Sequence, residues 1–431
     1  MSLLDKCFQL RAHGTTVKTE LLAGLTTFLT MAYIIFVNPA MLAQTGMDKN
    51  AVFVATCLAA ALGSFIMGFY ANLPIALAPG MGLNAFFTYT VVLKMGQPWP
   101  VALGCVFLSG VAFVLISLFK VREWLINAIP AALKKSIGAG IGAFLGFIAL
   151  QSGGIIVASE ATLVHLGNLG QFPALMTFLG LFLIIGLSQL RLRGAVMWTV
   201  FIIAGLGVLC GHNQLPATLL ALPPSLAPTL LQLDIVGALQ PALLSVVFAF
   251  FFVDLFDTAG TLIGVSERAG LSQNGQIPRL KKALLADSSA TIVGALLGTS
   301  NTTSYVESSA GVAVGGRTGL VAVSTGLLFL LALFFSPLAT MIPSYATSGA
   351  ILYVAILMMH ALTDIRWDDV SEAAPVALTF LMIPLTYSIA DGITIGFISF
   401  TVIKVLTGKA REINGGVLTL TAILLARLIF L

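Results

Sequence analysis

Charge is what this chain most lacks: Asp, Glu, Lys and Arg together make up 9% of its 431 residues against 58% hydrophobic, and the mean hydropathy is +1.03. No soluble core needs that much apolar side chain, so a water-soluble globular fold is excluded and a membrane protein is indicated. Histidine is scarce as well. His13, His165, His212 and His360 are dispersed without metal-ligand spacing, and no nucleophile has a paired acid and base nearby, which argues against a membrane enzyme, a bound metal or a cofactor. The cysteines, Cys7, Cys57, Cys105 and Cys210, are scattered and read as small apolar residues rather than as disulfide or metal partners. Long polar stretches are missing, so a separate soluble domain is not expected. The first residues, MSLLDKCFQLRAHGTTVKTE, are polar and amphipathic and lack the apolar centre of a cleaved signal peptide.

At about 20 residues per span, the chain has room for roughly a dozen or more helices. The apolar runs predict spans at 21–44, 51–70, 73–94, 98–119, 131–152, 171–190, 194–211, 237–265, 281–298, 300–316, 318–341, 346–362, 373–389 and 391–408, which makes fourteen. Val417 to Leu431 is short for a span and is expected to lie against the bundle or at the membrane interface.

Lys and Arg accumulate on the cytoplasmic side, which gives an independent check. With the N-terminus cytoplasmic, Lys6, Arg11, Lys18, Lys120, Arg122, Lys134, Lys135, Arg191, Arg193, Arg268, Arg279, Lys281, Lys282, Arg317, Arg366, Lys404, Lys409 and Arg411 fall inside. Only Lys49 and Lys94 fall outside, with Arg427 in the tail. The two longest outside loops, 153–170 and 212–236, carry no Lys or Arg. The net charge of +4 therefore reflects membrane topology rather than affinity for nucleic acid.

Two spans are not continuous. LPIALAPGMGLNAFFTYTVV (Leu73 to Val92) and TSNTTSYVESSAGVAVGG (Thr299 to Gly316) each join a non-helical approach to a short helix that begins near the middle of the membrane. Non-helical backbone at that depth survives only where protein or a polar cavity satisfies it, and a matching pair of such segments marks a transporter's substrate site. The flanking sequence repeats too. Ile129-Pro130 followed by Gly138 parallels Ile342-Pro343 followed by Gly349, and a helix with Gly63 and Gly68 leads into the first interruption as one with Gly294 and Gly298 leads into the second. Seven spans per half is an odd number, so the second copy enters from the opposite face and the repeat is inverted.

Four acids, Asp254, Asp257, Asp287 and Glu307, lie within or at the ends of apolar spans, where burying a charge is costly and a functional role is the default reading. Asp257 is favoured for the site because the small and hydroxyl-bearing Thr258, Ala259, Gly260 and Thr261 leave space beside it, whereas Asp254 is expected to make an internal hydrogen bond. Asp287, about a turn beyond Lys281 and Lys282, suits a salt bridge or a cap near the cytoplasmic end as well as a ligand. Glu307 opens the helix after TSNTTSYV, where free N–H groups and the helix dipole favour its charge. Asn84 occupies the comparable place after APGMG, with Gly80 and Gly82 allowing close backbone approach and Phe86 and Phe87 offering aromatic faces. Carboxylates, an amide and aromatic rings suit a flat polar heterocycle. They do not by themselves distinguish a nucleobase from another such ring.

The strings HGTTVKTELLAGLTTFLTMAYIIFVNPAML, ANLPIALAPGMGLNAFFTYTVV, DLFDTAGTLIGV and YVESSAGVAVGGRTGL resemble, in order, the signatures of the azaguanine-like purine permeases of the nucleobase cation symporter-2 / nucleobase-ascorbate superfamily, over about residues 10 to 410. The resemblance implies an all-α polytopic membrane protein with fourteen spans in a seven-plus-seven inverted repeat. It implies a core domain formed by 21–130 (spans 1 to 4) and 237–341 (spans 8 to 11), and a gate domain formed by 131–236 (spans 5 to 7) and 342–410 (spans 12 to 14). A cytoplasmic amphipathic N-terminus (1–20) and a tail helix (411–431) flank them. It further implies proton-coupled import of adenine, guanine or hypoxanthine by an elevator movement, with no cofactor, in a homodimer in the cell's inner membrane and with both termini cytoplasmic. The substrate residues it marks are Asp257, Glu307, Asn84, Ala85 and Phe86, with Thr30 as a further candidate; Thr258 and Ser308 are their polar neighbours. Asp257 and Glu307 are the candidates for carrying the proton, Asp257 being preferred. An anion transporter of the same general fold and sodium-coupled nucleobase uptake remain the alternative readings.

Overall fold

The computed structural model describes residues 3–118, 129–271 and 279–430. Lys120 and Arg122, which enter the charge count above, and residue 119 at the end of the fourth expected span lie outside the described residues, as do Met1, Ser2 and Leu431. The chain is a bundle of apolar helices: α1 (Leu3–Phe8), α2 (Val17–Met31), α3 (Ile34–Leu42), α4 (Lys49–Ile66), α5 (Met81–Ala85), α6 (Trp99–Leu118), α7 (Ala131–Ser152), α8 (Phe172–Gln189), α9 (Ala195–Leu209), α10 (Pro241–Arg268), α11 (Leu280–Leu297), α12 (Ser308–Ala313), α13 (Gly319–Ala332), α14 (Ser344–Met359), α15 (Val370–Thr386), α16 (Ile389–Leu406) and α17 (Gly415–Phe430). Among the described residues nine helices are long and apolar enough to cross a membrane, so the count of fourteen is not reached by length and hydropathy alone. The shortfall of five lies in the two interrupted segments, in the shorter apolar helices α9 and α15, and in α11, whose 18 residues carry Lys281, Lys282 and Asp287.

The first span begins four residues before the expected Leu21, because Thr16 caps α2 by accepting from the Thr19 N–H. Glu20 hides this start in the sequence. It is fully buried, and its carboxylate accepts from the Arg317 N–H at 2.8 Å, the Thr318 N–H at 3.1 Å, the Thr318 hydroxyl at 2.6 Å and the Thr15 hydroxyl at 2.9 Å. The charge that reads as a loop residue thus fastens the first span to the N-terminus of α13.

The two interrupted segments meet. Leu77–Pro79 (β1) pairs antiparallel with Thr302–Ser304 (β4), Leu77 opposite Ser304 and Pro79 opposite Thr302, and the Gly80 N–H extends the ladder to the Asn301 carbonyl at 2.9 Å. This pairing satisfies backbone that lipid could not, and its antiparallel sense is the one that copies of opposite direction require. A second hairpin, β2 (Ile156–Ser159) with β3 (Leu163–Leu166), lies in the long loop after α7. Helix contacts are close where glycines meet. A Cβ on Gly319 would stand 2.0 Å from the Gly68 carbonyl oxygen, so α13 crosses the end of the second span backbone to backbone. Gly319→Ala is expected to lower stability by about 1–3 kcal/mol, the range for overpacking, read as a fall in the melting temperature of purified protein; an unchanged melting temperature would contradict the close crossing.

The helices pack as two sets. α2, α4, α6, α10, α11 and α13 pack mainly on one another around the β1–β4 crossing, while α7, α8, α14, α15 and α16 form the other set, with α9 on α8 and α17 on α16. At the far end of α16, the buried Lys404 meets Glu412 at 2.5 Å and Lys409 meets Asp369 at 2.7 Å, which ties the segment before α17 to the second set. The hydrogen bond from Lys409 holds the Asp369 carboxyl well below the usual carboxylate range.

Candidate functional site

The first span breaks at Ala32 and Tyr33 between α2 and α3, and resumes with the tight bonds Ile35 N–H to Ala32 O at 3.1 Å and Phe36 N–H to Tyr33 O at 3.0 Å. The break sets the Tyr33 hydroxyl against Glu307, donating to Oε1 at 2.7 Å. Glu307 stands at the N-cap of α12, yet its side chain makes no capping hydrogen bond. A carboxylate at a helix start that does not serve the helix is available for another partner. Thr30 lies beside it, its hydroxyl bonded to the Thr27 carbonyl at 2.8 Å and 3.5 Å from the Glu307 carbonyl.

Asp257, in the middle of the 28-residue α10, is exposed. Around it the helix faces open space: a Cβ added to Gly260 or Gly264 would meet nothing within 4 Å, and the same holds for Gly138 on α7, the facing helix, whose Lys134 Nζ lies 5.9 Å from the Phe256 ring centre. An exposed carboxylate in a membrane helix requires water or a polar ligand beside it. The opening follows Asp257, Gly260, Gly264 and Glu267 toward the end of α10 that the charge count puts on the cytoplasmic side. Asp257 and Glu307 are close enough for their charges to interact. Of the expected site residues, Asp257 is thus exposed, and Glu307 and Thr30 are partly exposed beside one another.

The other polar residues expected at the site are fully buried and bonded to protein. Asn84 Oδ1 accepts from the Ser300 hydroxyl, across the two interrupted segments. Thr258 donates to Asp287 Oδ2 at 2.9 Å and contacts the Thr303 hydroxyl at 2.8 Å. Ser308 Oγ accepts from the Ala76 N–H at 3.0 Å. Ala85 and Phe86 are buried beside them, Phe86 meeting Phe250 edge to face at 4.9 Å between ring centres. In this conformation these residues support the crossing, and Gly82, partly exposed, lies close against the facing helix: a Cβ there would stand 2.4 Å from Ile141 Cγ2.

Asp254 makes the internal hydrogen bonds its surroundings suggested, accepting from the Thr291 hydroxyl and the Asn301 amide, each at 3.0 Å. Asp287 does not pair with Lys281 or Lys282. Those bond the Leu118 carbonyl and lie over the Tyr70 ring, while Asp287 accepts from Ser304 at 2.7 Å and from Thr258. Three residues important to this arrangement are missed by the sequence reading: Tyr33, the buried Glu20, and Asn38, which donates to Thr56 at 2.7 Å and Thr299 at 2.8 Å. Asn38 stands beside Pro39 inside an apolar run, where an asparagine that needs buried partners could have been suspected. Among the described residues no group of three or more His, Cys, Asp or Glu is placed to hold a metal ion.

Two half-helices whose extended approaches cross inside an apolar bundle, with acids at an opening beside the crossing, define a multi-pass integral membrane protein of the carrier type. Its fold is that of known carriers: the transmembrane domain of the cyanobacterial bicarbonate transporter BicA superposes with a TM-score of 0.68 at 15% identity, covering 87% of this chain and 96% of that one. SLC26A9 superposes with a TM-score of 0.64 at 10% identity, covering 91% of this chain and 66% of that one. At such identities the likeness concerns the fold alone. The chain belongs to the permease family designated Xan_ur_permease, which matches residues 18–395, and is therefore a transporter and not an enzyme. It is 46% identical over 430 residues to the adenine permease AdeP of Escherichia coli (strain K12), covering 100% of this chain and 96% of AdeP. It is 47% identical over 435 residues to the guanine/hypoxanthine permease PbuG of Bacillus subtilis (strain 168), covering 98% of this chain and 99% of PbuG.

Proposed function

We propose that this chain imports purine nucleobases, namely adenine, guanine or hypoxanthine, binding them at Asp257 and Glu307 and coupling their entry to protons. What supports the reading is two acids inside the membrane bundle, neither fully buried and near enough for their charges to interact, in a chain similar along its whole length to an adenine permease and to a guanine/hypoxanthine permease. Carboxylates accept from ring N–H and exocyclic amino groups, the donors a purine edge offers. Purine bases are largely neutral near pH 7, so accumulation needs a coupled ion. Asp257, inside a continuous helix and open to the aqueous side, is the better proton carrier; Glu307 already has a hydroxyl on it. The protein acts in the cell's inner membrane with both termini cytoplasmic, and as a homodimer.

The core set of helices, carrying the crossing, moves as an elevator against the gate set. What supports this is the asymmetry between the two ends of their interface. On the expected outer side the sets are bonded: Thr90 donates to the Tyr387 carbonyl at 2.7 Å and Lys94 donates to the Thr386 carbonyl at 2.6 Å, while Tyr387 is held within the gate set by its bond to Gln151 and its edge-on packing against Phe144 and Phe147. On the expected inner side lies the open space along Asp257, Gly260 and Gly264. The outer contacts must break for substrate to enter from outside. Thr90→Val with Lys94→Met removes two hydrogen bonds of about 1 kcal/mol each from the closed state, so external KM should fall, by up to roughly thirtyfold; an unchanged or raised KM would count against the latch.

Uptake of labelled adenine, guanine and hypoxanthine in a host lacking purine carriers tests the function. Mutual competition, with loss of accumulation on adding a protonophore, is the expected result. Accumulation that survives the protonophore and stops without sodium would replace the proton by sodium, and transport of bicarbonate without any purine uptake would favour the anion reading.

A further inference from the structure

Among the described residues one side chain is bonded to the Glu307 carboxylate, and it comes from the other half of the repeat. Tyr33 lies in the first span, 274 residues away in sequence, and donates to Oε1 at 2.7 Å. It is 1% exposed, so its ring is held by packing on all sides. Its backbone sits in the turn between α2 and α3, where Ala32 (ψ −16°) and Tyr33 (ψ −25°) stay right-handed but take the shallower ψ of a 3₁₀ turn. An unbroken helix would continue the side-chain directions of α2; the turn re-aims the position, and the residue it aims reaches the acid. Thr30, one turn earlier, also faces the Glu307 backbone, so the end of α2 is fitted to the start of α12.

A carboxylate at the start of a six-residue helix is poorly fixed by that helix alone, because its side chain rotates about three bonds and makes no cap. A hydroxyl that can only donate here, fixed to Oε1, removes that freedom and leaves Oε2 for a ligand. It also defines what the ligand must bring. With both carboxylate oxygens acting as acceptors, the edge presented to Oε2 must carry a donor, a ring N–H or an exocyclic amine.

We propose that Tyr33 is a positioning residue for substrate recognition, holding Glu307 so that its free oxygen meets the donor edge of the purine. This rests on the reading that Glu307 binds the base. Preorganisation of this kind raises affinity without adding a contact to the ligand.

Equilibrium binding of guanine and adenine to the purified full chain, together with uptake kinetics and melting temperature, tests the idea for Tyr33→Phe, Glu307→Gln and the double variant. Tyr33→Phe is expected to raise Kd and KM about tenfold, with Vmax within about twofold of wild type. In the Glu307→Gln background the same change is expected to add little, because the group it positions is gone. Wild-type Kd in Tyr33→Phe, or an equal further loss in both backgrounds, would overturn the positioning role. Tyr33→Met is measured alongside. If Tyr33→Phe does not fold, an additive loss in Tyr33→Met with a lowered melting temperature assigns Tyr33 to packing and overturns the proposal, while a loss confined to the Glu307 background sustains it. Wild-type binding by Glu307→Gln itself would instead refute the site reading, whatever Tyr33 does.

Discussion

Glu307→Gln, expressed in a host without its own purine carriers, should show no saturable purine uptake although the protein reaches the membrane in normal amount. The substitution keeps size and shape and leaves the Tyr33 hydroxyl an acceptor, so α12 and the crossing should hold. What it removes is the charge, and it places an amide donor where the ligand needs an acceptor. Losing a charged hydrogen-bond partner costs about 1.5–3 kcal/mol, roughly a tenfold to hundredfold drop in affinity, and an amide donor turned toward a donor edge adds repulsion. Asp257→Asn should behave likewise, with the further effect of abolishing accumulation if Asp257 carries the proton. Near-normal uptake by both variants would remove these acids from the site.

Gly82→Val should be inactive with every base, and for a reason that lies in the opposite helix. Any Cβ at position 82 stands 2.4 Å from Ile141 Cγ2, so valine forces α5 away from α7 or forces Ile141 out of place. If the two helix sets slide on each other there, the clash blocks every substrate alike. Trimming the partner should relieve it: Gly82→Val with Ile141→Ala is expected to recover measurable uptake. Asn84→Ala offers the contrast. Its side chain bonds Ser300 rather than the opening, so its removal leaves a buried hydroxyl without that partner and should lower stability by about 1–3 kcal/mol while some transport persists. Loss of activity in Gly82→Val that Ile141→Ala does not relieve at all would mean that the half-helix, not the interface, is what the valine damages.

Much of this architecture was legible because lipid imposes hard rules. Continuous apolar runs marked the long helices, and at 131–152 the expected span and α7 coincide. The polar interruptions at APGMG and TSNTTSYV marked backbone that cannot face lipid, and their strands pair. Periodicity could not show which way the side chains of the short half-helices turn. Asn84, Thr258 and Ser308 stand beside the site in sequence, but the close crossing of β1 and β4 draws them inward, where Ser300 bonds the Asn84 Oδ1, Asp287 bonds Thr258 and the Ala76 N–H bonds Ser308. Glu20 misled in the other direction, since a single acid near the N-terminus looks solvated until the backbone of the α13 start is seen around it. Tyr33 was illegible for a related reason: its role depends on a break in an apolar helix that no Pro or Gly announces.

Counterflow in proteoliposomes is the most direct test of purine transport by this chain, because it needs neither an ion gradient nor a host cell. Vesicles preloaded with unlabelled guanine or adenine should draw in labelled purine transiently above equilibrium, and preloading with uracil or bicarbonate should not. Counterflow driven by bicarbonate, or none with any purine while the protein is folded and correctly inserted, would contradict the assignment.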